Sequence, residues 1–355
     1  MGIHKKIRVL IVDDSLIFRE VLARGIASDP DIEVVGKAID PFDARDKILA
    51  LQPDVMTCDV EMPKMNGIEF IRRLLPQYPL PVIVVSAISN AVFDAMNAGA
   101  VDFVTKPDVQ SPKGVEGFIV ELIAKIKVVA NAKVGQTVNK PANYEPQLQT
   151  SEHKKTTVDS VQTSRFDPNK VIAIGASTGG TEALFSILKH LPPSVPGIVI
   201  VQHIPPVFST MFAERLNNQT RLRVKEAETG DYVEPGLVLI APGDQHMRVK
   251  KVADKYKVEV FHGEKVSGHC PSVDVLFDSV AKEVGNQAIG IILTGMGYDG
   301  AKGLLAMKRK GARTIGQDEQ SSIVYGMPKV SYEIGAVERQ MPLQTIPQML
   351  LAMTR

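Results

Sequence analysis

The chain has 355 residues, enough for two domains that each bury a core of their own. A formal net charge of +1 and only two cysteines, Cys58 and Cys270, exclude a basic field for nucleic acid and a disulfide or zinc framework. No apolar run approaches about 18 residues and the start, MGIHKK, has no apolar leader, so a cytoplasmic protein with no membrane insertion is expected.

Five short β-branched runs come first: IRVLIV, EVVGKA, DVMTCDV, PVIVVSA and DFVTK. Amphipathic segments lie between them, among them Ile17–Ala27, Ala44–Leu51 and Ile68–Leu75. This alternation predicts a five-stranded parallel sheet covered on both faces, with ligands held beyond the carboxyl ends of the strands. Asp13 and Asp14 follow the first run, Asp59 the third and Lys106 the fifth. Each acid taken singly is a solvated loop residue or a helix cap; together they make a crowded anionic pocket. Such a cluster needs a cation, and oxygen donors with a few waters suit Mg²⁺. A lysine beside them could neutralise a phosphoryl group carried on one carboxylate.

Asp13-Asp14, Asp59 with Met62-Pro63, Ser86-Ala87 and Lys106-Pro107 resemble the signature of a response-regulator receiver domain, over about residues 5–127. The resemblance implies a flavodoxin-like fold and phosphorylation of Asp59 by a partner histidine kinase. It also implies that Asp14, Asp59 and the Glu61 carbonyl hold Mg²⁺, with Asp13 helping through water. Ser86 and Lys106 would bind the phosphoryl oxygens, and Phe103 would be the aromatic that moves with Ser86.

Residues 131–168 are polar and almost without apolar periodicity, and a flexible linker is read over 128–168, between domains at 1–127 and 169–355. After it the alternation resumes. VIAIGA leads into TEALFSILKHL, GIVIVQH into STMFAERLNN, and QAIGIIL into DGAKGLLAMKRKG. LRVKEA, GLVLIAP, HMRVKKV and YKVEVFHG read as shorter strands with a hairpin. Segment 272–285 places Val273, Leu276, Phe277, Val280 and Val284 on one helical face, the pattern of a packed helix. The expected architecture is a doubly wound, mainly parallel sheet with an antiparallel edge.

The stretch VIAIGASTGG, residues 171–180, leaves three readings open. It spells a nucleophile elbow at Ser177, a dinucleotide fingerprint with its middle glycine replaced, or a plain helix cap. A serine nucleophile needs a base and an acid to orient that base. His203 ends GIVIVQH and Asp299 follows QAIGIIL, so Ser177, His203 and Asp299 all fall just past carboxyl ends of parallel strands. Among the other histidines, His190 lies within a helix, His246 opens a hairpin and His262 ends a strand. His269 is the rival, because it too precedes a helix.

The order Ser, His, Asp differs from those of α/β-hydrolases, chymotrypsin and subtilisin. With GASTGG, VQHIPP, HCPSVDVLF, LTGMGYDGA and YGMP it resembles the chemotaxis protein-glutamate methylesterase (CheB) family over residues 169–355. The resemblance implies hydrolysis of glutamyl γ-methyl esters on methyl-accepting chemoreceptors, often with deamidation of receptor glutamines. Ser177 would be the nucleophile, His203 the base and Asp299 its orienting acid, on a monomer needing no cofactor in this domain. The amides of Thr178, at a helix start, and of Met296 would face the oxyanion. Gly179 and Gly180 would let a protein substrate approach the backbone.

Two positions depart from the family pattern: Tyr298 stands where asparagine is common, and Gly268 and Cys270 flank His269 where arginine is frequent. A nucleotide-binding output and a silent adaptor are the competing classes. Intact Ser177, His203 and Asp299 argue against the adaptor. A receiver joined to a hydrolase also predicts gating, in which the unphosphorylated receiver covers the Ser177 cleft.

Overall fold

The computed structural model describes residues 5–87, 91–107, 112–130, 132, 166–167 and 169–354. The strands of the first half are β1 (Ile7–Val12), β2 (Ile32–Ala38), β3 (Val55–Asp59), β4 (Val82–Ser86) and β5 (Asp102–Thr105). The helices are α1 (Leu16–Ile26), α2 (Pro41–Leu51), α3 (Gly67–Leu74), α4 (Ala91–Asn97) and α5 (Pro112–Val129). The sheet runs β2-β1-β3-β4-β5 with every neighbour parallel. β3 and β4 are buried along their whole length, as central strands of a parallel sheet covered on both faces are. The strand order reverses between β1 and β3, which opens a crevice at their carboxyl ends and brings Asp13 beside Asp59.

The second half contains β6 (Val171–Ala176), β7 (Gly197–Gln202), β8 (Arg223–Glu226), β9 (Leu237–Ile240), β10 (His246–Val252) and β11 (Lys255–Phe261). It continues with β12 (Ala288–Ile292), β13 (Arg313–Gln317) and β14 (Arg339–Met341). Its helices are α6 (Gly180–Leu188), α7 (Phe208–Gln219), α8 (Val273–Glu283), α9 (Ala301–Arg309), α10 (Met327–Glu333) and α11 (Ile346–Met353). Seven strands form one parallel sheet, β14-β13-β12-β6-β7-β9-β8. The antiparallel pair expected at its edge is a separate ribbon, β10 with β11. Met247, Val249 and Val258 of the ribbon share a core with Phe277 and Val280 of α8, and Val249 N donates to Ser279 Oγ at 2.9 Å. The apolar face of the ribbon is therefore buried against α8.

Here the order reverses between β12 and β6, so the chain leaves β6, β7 and β12 side by side at one rim. Val273, Leu276, Phe277 and Val280 are fully buried, as the periodicity of 272–285 predicts. β13 and β14 go beyond the expected strands; at five and three residues they carry too little period-two signal to stand out.

The two sheets meet through aromatic rings. Phe93 of α4 stacks on Phe212 of α7 with centroids 5.7 Å apart, and Phe103 of β5 lies 4.8 Å from Phe208. Arg215 Nη2 donates to Asn97 Oδ1 across the same seam at 2.7 Å and to Glu182 Oε1 at 2.9 Å. α5 runs through Val129; most of the expected linker, 128–168, lies outside the described residues.

Candidate active site and acidic pocket

Ser177 follows β6 as a half-buried residue in a tight turn. Its amide donates to Thr294 O at 3.0 Å, and its carbonyl accepts from Gly180 N at 2.7 Å. Gly295 faces it so closely that a Cβ there would lie 2.7 Å from Ser177 Cβ. That glycine is the loop's condition for approaching the serine.

Asp299, after β12, is 1% exposed and fully hydrogen-bonded. Oδ2 accepts from His203 Nε2 and from Val273 N, both at 2.8 Å. Oδ1 accepts from Ser272 Oγ at 2.8 Å and from Asp274 N at 3.0 Å. The carboxylate thus sits on the N-terminus of α8, where free amides and the helix dipole favour negative charge. Burial pushes its pKa up, but the His203 bond and the α8 amides outweigh that and hold it below the ordinary carboxylate value.

An ionised carboxylate only accepts, so His203 Nε2 carries the proton and Nδ1 carries the lone pair. Nδ1 is buried and has no partner among the described residues. The aspartate thus holds Nε2, whereas in serine proteases it holds Nδ1. The His269 ring stacks on that of His203 at 3.7 Å, with planes 8° apart. Burial, then the neighbouring His203, lowers the His269 pKa to about 4. His269 is therefore a neutral ring stacked on His203.

Of the other histidines, His246 opens β10 as expected, whereas His190 lies in the turn after α6 and not within a helix. His246 Nε2 bonds Glu264 O, which leaves Nδ1 to accept from Ser272 N at 3.2 Å. It supports the loop that grips Asp299. His190, in the turn after α6, bonds Ser186 O, and His262 is exposed.

The amides of Thr178 and Met296 donate to no other described residue. Thr178 Oγ1 is engaged elsewhere: it donates to Asp102 Oδ2 at 2.7 Å, across to β5. The paired glycines do not have the role expected of them. A Cβ on Gly179 would meet Ile323 at 2.8 Å, and one on Gly180 would meet Gln202 Oε1 at 2.1 Å. They make room for the chain's own side chains, not for a substrate. Tyr298 is 52% exposed beside Asp299, and Gly268, with φ of +86°, lies at an exposed turn.

In the first sheet's crevice the ligand atoms of Asp13, Asp14 and Asp59 lie within 4.8 Å of one another. Lys106 Nζ reaches Asp59 Oδ2 at 2.6 Å and Asp13 Oδ2 at 2.9 Å. Burial raises the Asp59 pKa despite Lys106, and the two carboxylates raise that of Lys106 despite its burial. Glu61 N donates to Asp59 Oδ1 at 3.3 Å, while its side chain is exposed. Ser86 ends β4 with its Oγ buried and unpartnered among the described residues, and Phe103 is buried against Phe208. An all-oxygen set this tight could hold a hard divalent cation.

Two doubly wound sheets, an acid pocket with its lysine in one and a serine–histidine–aspartate rim in the other, define a response regulator carrying an α/β output domain. The chain belongs to the CheB methylesterase family, which matches residues 172–350, and a response regulator receiver domain matches residues 9–111. The protein-glutamate methylesterase/protein-glutamine glutaminase 2 of Syntrophomonas wolfei is 57% identical over 346 residues, covering 98% of this chain and 97% of its own. The corresponding protein of Syntrophotalea carbinolica is 50% identical, over 96% of each chain. The crystal structure of the Thermotoga maritima CheB methylesterase catalytic domain is 40% identical with a TM-score of 0.51, spanning 52% of this chain and 97% of that one.

Three features escape sequence reasoning: the α8 amides on Asp299, the His269 stack, and the Asp102 tie to Thr178. Only the first has a visible signal, because PSVD before an apolar face marks a helix start.

Proposed function

We propose that this chain is a phosphorylation-activated serine hydrolase that demethylates glutamate γ-methyl esters on chemoreceptors and deamidates specific receptor glutamines. The observation that carries the reading is the His203–Asp299 bond, which leaves the lone pair of His203 Nδ1 free at the rim where Ser177 emerges. Ser177 Oγ attacks the ester carbonyl as Nδ1 takes its proton. The amides of Thr178 and Met296 receive the oxyanion. Methanol leaves with the proton from His203, and a glutamyl ester on Ser177 remains. Water then attacks with the same base, releasing the glutamate carboxylate and restoring the serine. From a glutamine the first leaving group is ammonia.

The division into a receiver at 1–127, a linker at 128–168 and a catalytic domain at 169–355 underlies the gating. Asp59 accepts the phosphoryl group from a histidine kinase, and Lys106 and Ser86 hold its oxygens. Asp13, Asp14, Asp59 and the Glu61 carbonyl would hold Mg²⁺, which when bound offsets the negative charge gathered there. The receiver keeps the unphosphorylated enzyme covered through the Phe93, Phe103 and Asp102 contacts, and phosphorylation loosens them. A coupling of about 2–3 kcal/mol corresponds to roughly 30- to 150-fold activation. The enzyme acts in the cytoplasm as a monomer.

Methanol release from methylated receptor membranes tests the reading. Ser177→Ala loses about 10⁴–10⁶ in rate; a variant that keeps most of its activity rejects Ser177 as the nucleophile. A nucleotide-binding output is disfavoured because Gly180 is filled by the Gln202 amide.

A further inference from the structure

We propose that Gln202 is a positioning residue that fixes the distance between nucleophile and base. The proposal rests on the assignment of Ser177 as nucleophile and His203 as base. β6 and β7 are neighbouring parallel strands whose last aligned pair is Ala176 with Gln202. Immediately beyond it, one chain turns through Ser177 and the other through His203. A backbone bond, His203 N to Ala176 O at 3.1 Å, joins the chains there.

The Gln202 side chain adds the rest. It is 3% exposed, and its Nε2 donates to Ser177 O at 2.9 Å and to His203 O at 3.1 Å. Both partners are carbonyls, which only accept, so the orientation of the amide is dictated by chemistry. The two N–H groups of one side chain thus clasp the backbones of the two reacting residues.

The same amide leaves Oε1 buried with no partner among the described residues. An aliphatic side chain would fill this place without that cost, so packing alone does not explain a glutamine here. The clasp does, because it needs two donors from one planar group. It also gives Gly180 its reason: a Cβ there would strike Oε1 at 2.1 Å and displace the amide. A reacting group misplaced by about 1 Å costs about 100-fold, and the clasp spans the two groups whose separation matters.

The test uses the full chain, activated with a small phosphodonor, and follows methanol release for Ser177→Ala, Gln202→Met, Gln202→Glu and Gly180→Ala. Gln202→Met keeps the volume and removes the donors. Its kcat falls about 10- to 100-fold while KM changes less than about 3-fold and the melting temperature does not fall. Gly180→Ala, whose added methyl strikes the Gln202 amide while the Gly180 N–H to Ser177 O bond can remain, lowers kcat in the same sense. Gln202→Glu supplies the readout that a packing role would not move. Ionised, it sets a carboxylate against two carbonyls; protonated, it regains one donor, and burial raises its pKa. Its activity relative to the parent therefore rises as pH falls. The proposal is overturned if Ser177→Ala is inactive while Gln202→Met, assayed below its melting temperature, keeps the parent kcat. A flat Gln202→Glu ratio across pH also overturns it. If Ser177→Ala stays active, the triad reading fails first and this inference falls with it.

Discussion

Thr178 Oγ1 donates a 2.7 Å hydrogen bond to Asp102 Oδ2, so the residue after the candidate nucleophile is held by the first residue of β5. The other oxygen of Asp102 accepts from Lys125 Nζ and Phe103 N, both at 2.8 Å. Phe103 in turn leans on Phe208 of α7. One short strand therefore joins the acid pocket's side of the molecule to the Ser177 turn.

Removing that tie raises the unphosphorylated activity. Thr178→Val keeps shape and backbone amide but leaves Asp102 Oδ2 buried without its donor whenever the two sheets are docked. A hydrogen bond to a charged group is worth about 1.5–3 kcal/mol, so basal methanol release rises about 10-fold or more, while the phosphorylated rate changes little. Initial rates with and without phosphodonor check this; an unchanged basal rate removes Thr178–Asp102 from the gate.

Removing the acceptor or the metal disables the switch but not the catalyst. Asp59→Asn no longer incorporates phosphate from a small phosphodonor, and its esterase activity stays at the basal level. A chelator has the same effect on the parent, because crowded carboxylates left without a cation resist a further anionic group. A basal rate that falls with chelation would place a metal in the output domain instead.

Asp299→Asn tests how the base is held. An asparagine whose oxygen took the place of Oδ1, keeping the Asp274 amide and Ser272 Oγ at the cost of the Val273 bond, would turn its own N–H toward His203 Nε2, forcing the ring proton onto Nδ1. The base is then blocked in the wrong tautomer, and kcat falls about 10⁴-fold with little change in KM. A loss under 10-fold would mean that Nδ1 is not the catalytic nitrogen.

The sequence carries the rim of this site clearly because parallel strands buried on both faces are long β-branched runs, and a residue just past such a run lies at a strand end. Ser177, His203 and Asp299 could be placed that way without knowing a single side-chain angle. The groups that hold them could not. Asp299 is gripped by backbone amides of Val273 and Asp274; PSVD marks the helix start that supplies them, but nothing local names the carboxylate they hold. The Asp102–Thr178 bond joins residues 76 positions apart across two sheets, and no local period reports such a pairing. The glycines of GASTGG were legible as glycines, but the side chains that fill the space they leave, Ile323 and Gln202, are set by chain packing.

His269 gives the fold a measurable acid sensitivity. Its pKa is held at about 4, first by burial and then by the neighbouring His203, against about 6.5 for an unfolded histidine. Asp299 and Lys265 act on it weakly in opposite senses. As pH falls below about 6.5 the unfolded chain takes up this proton and the folded chain does not. Stability contributed by the neutral ring is therefore complete above about 6.5 and is lost progressively toward pH 4. His269→Phe keeps an aromatic face on His203 and removes the titration. Its urea midpoint drops less than the parent's between pH 7 and pH 4.5, while its kcat at pH 7.5 stays within a few-fold of the parent. An equal drop in both proteins would mean that the stacked ring takes up its proton in the folded state as readily as in the unfolded one.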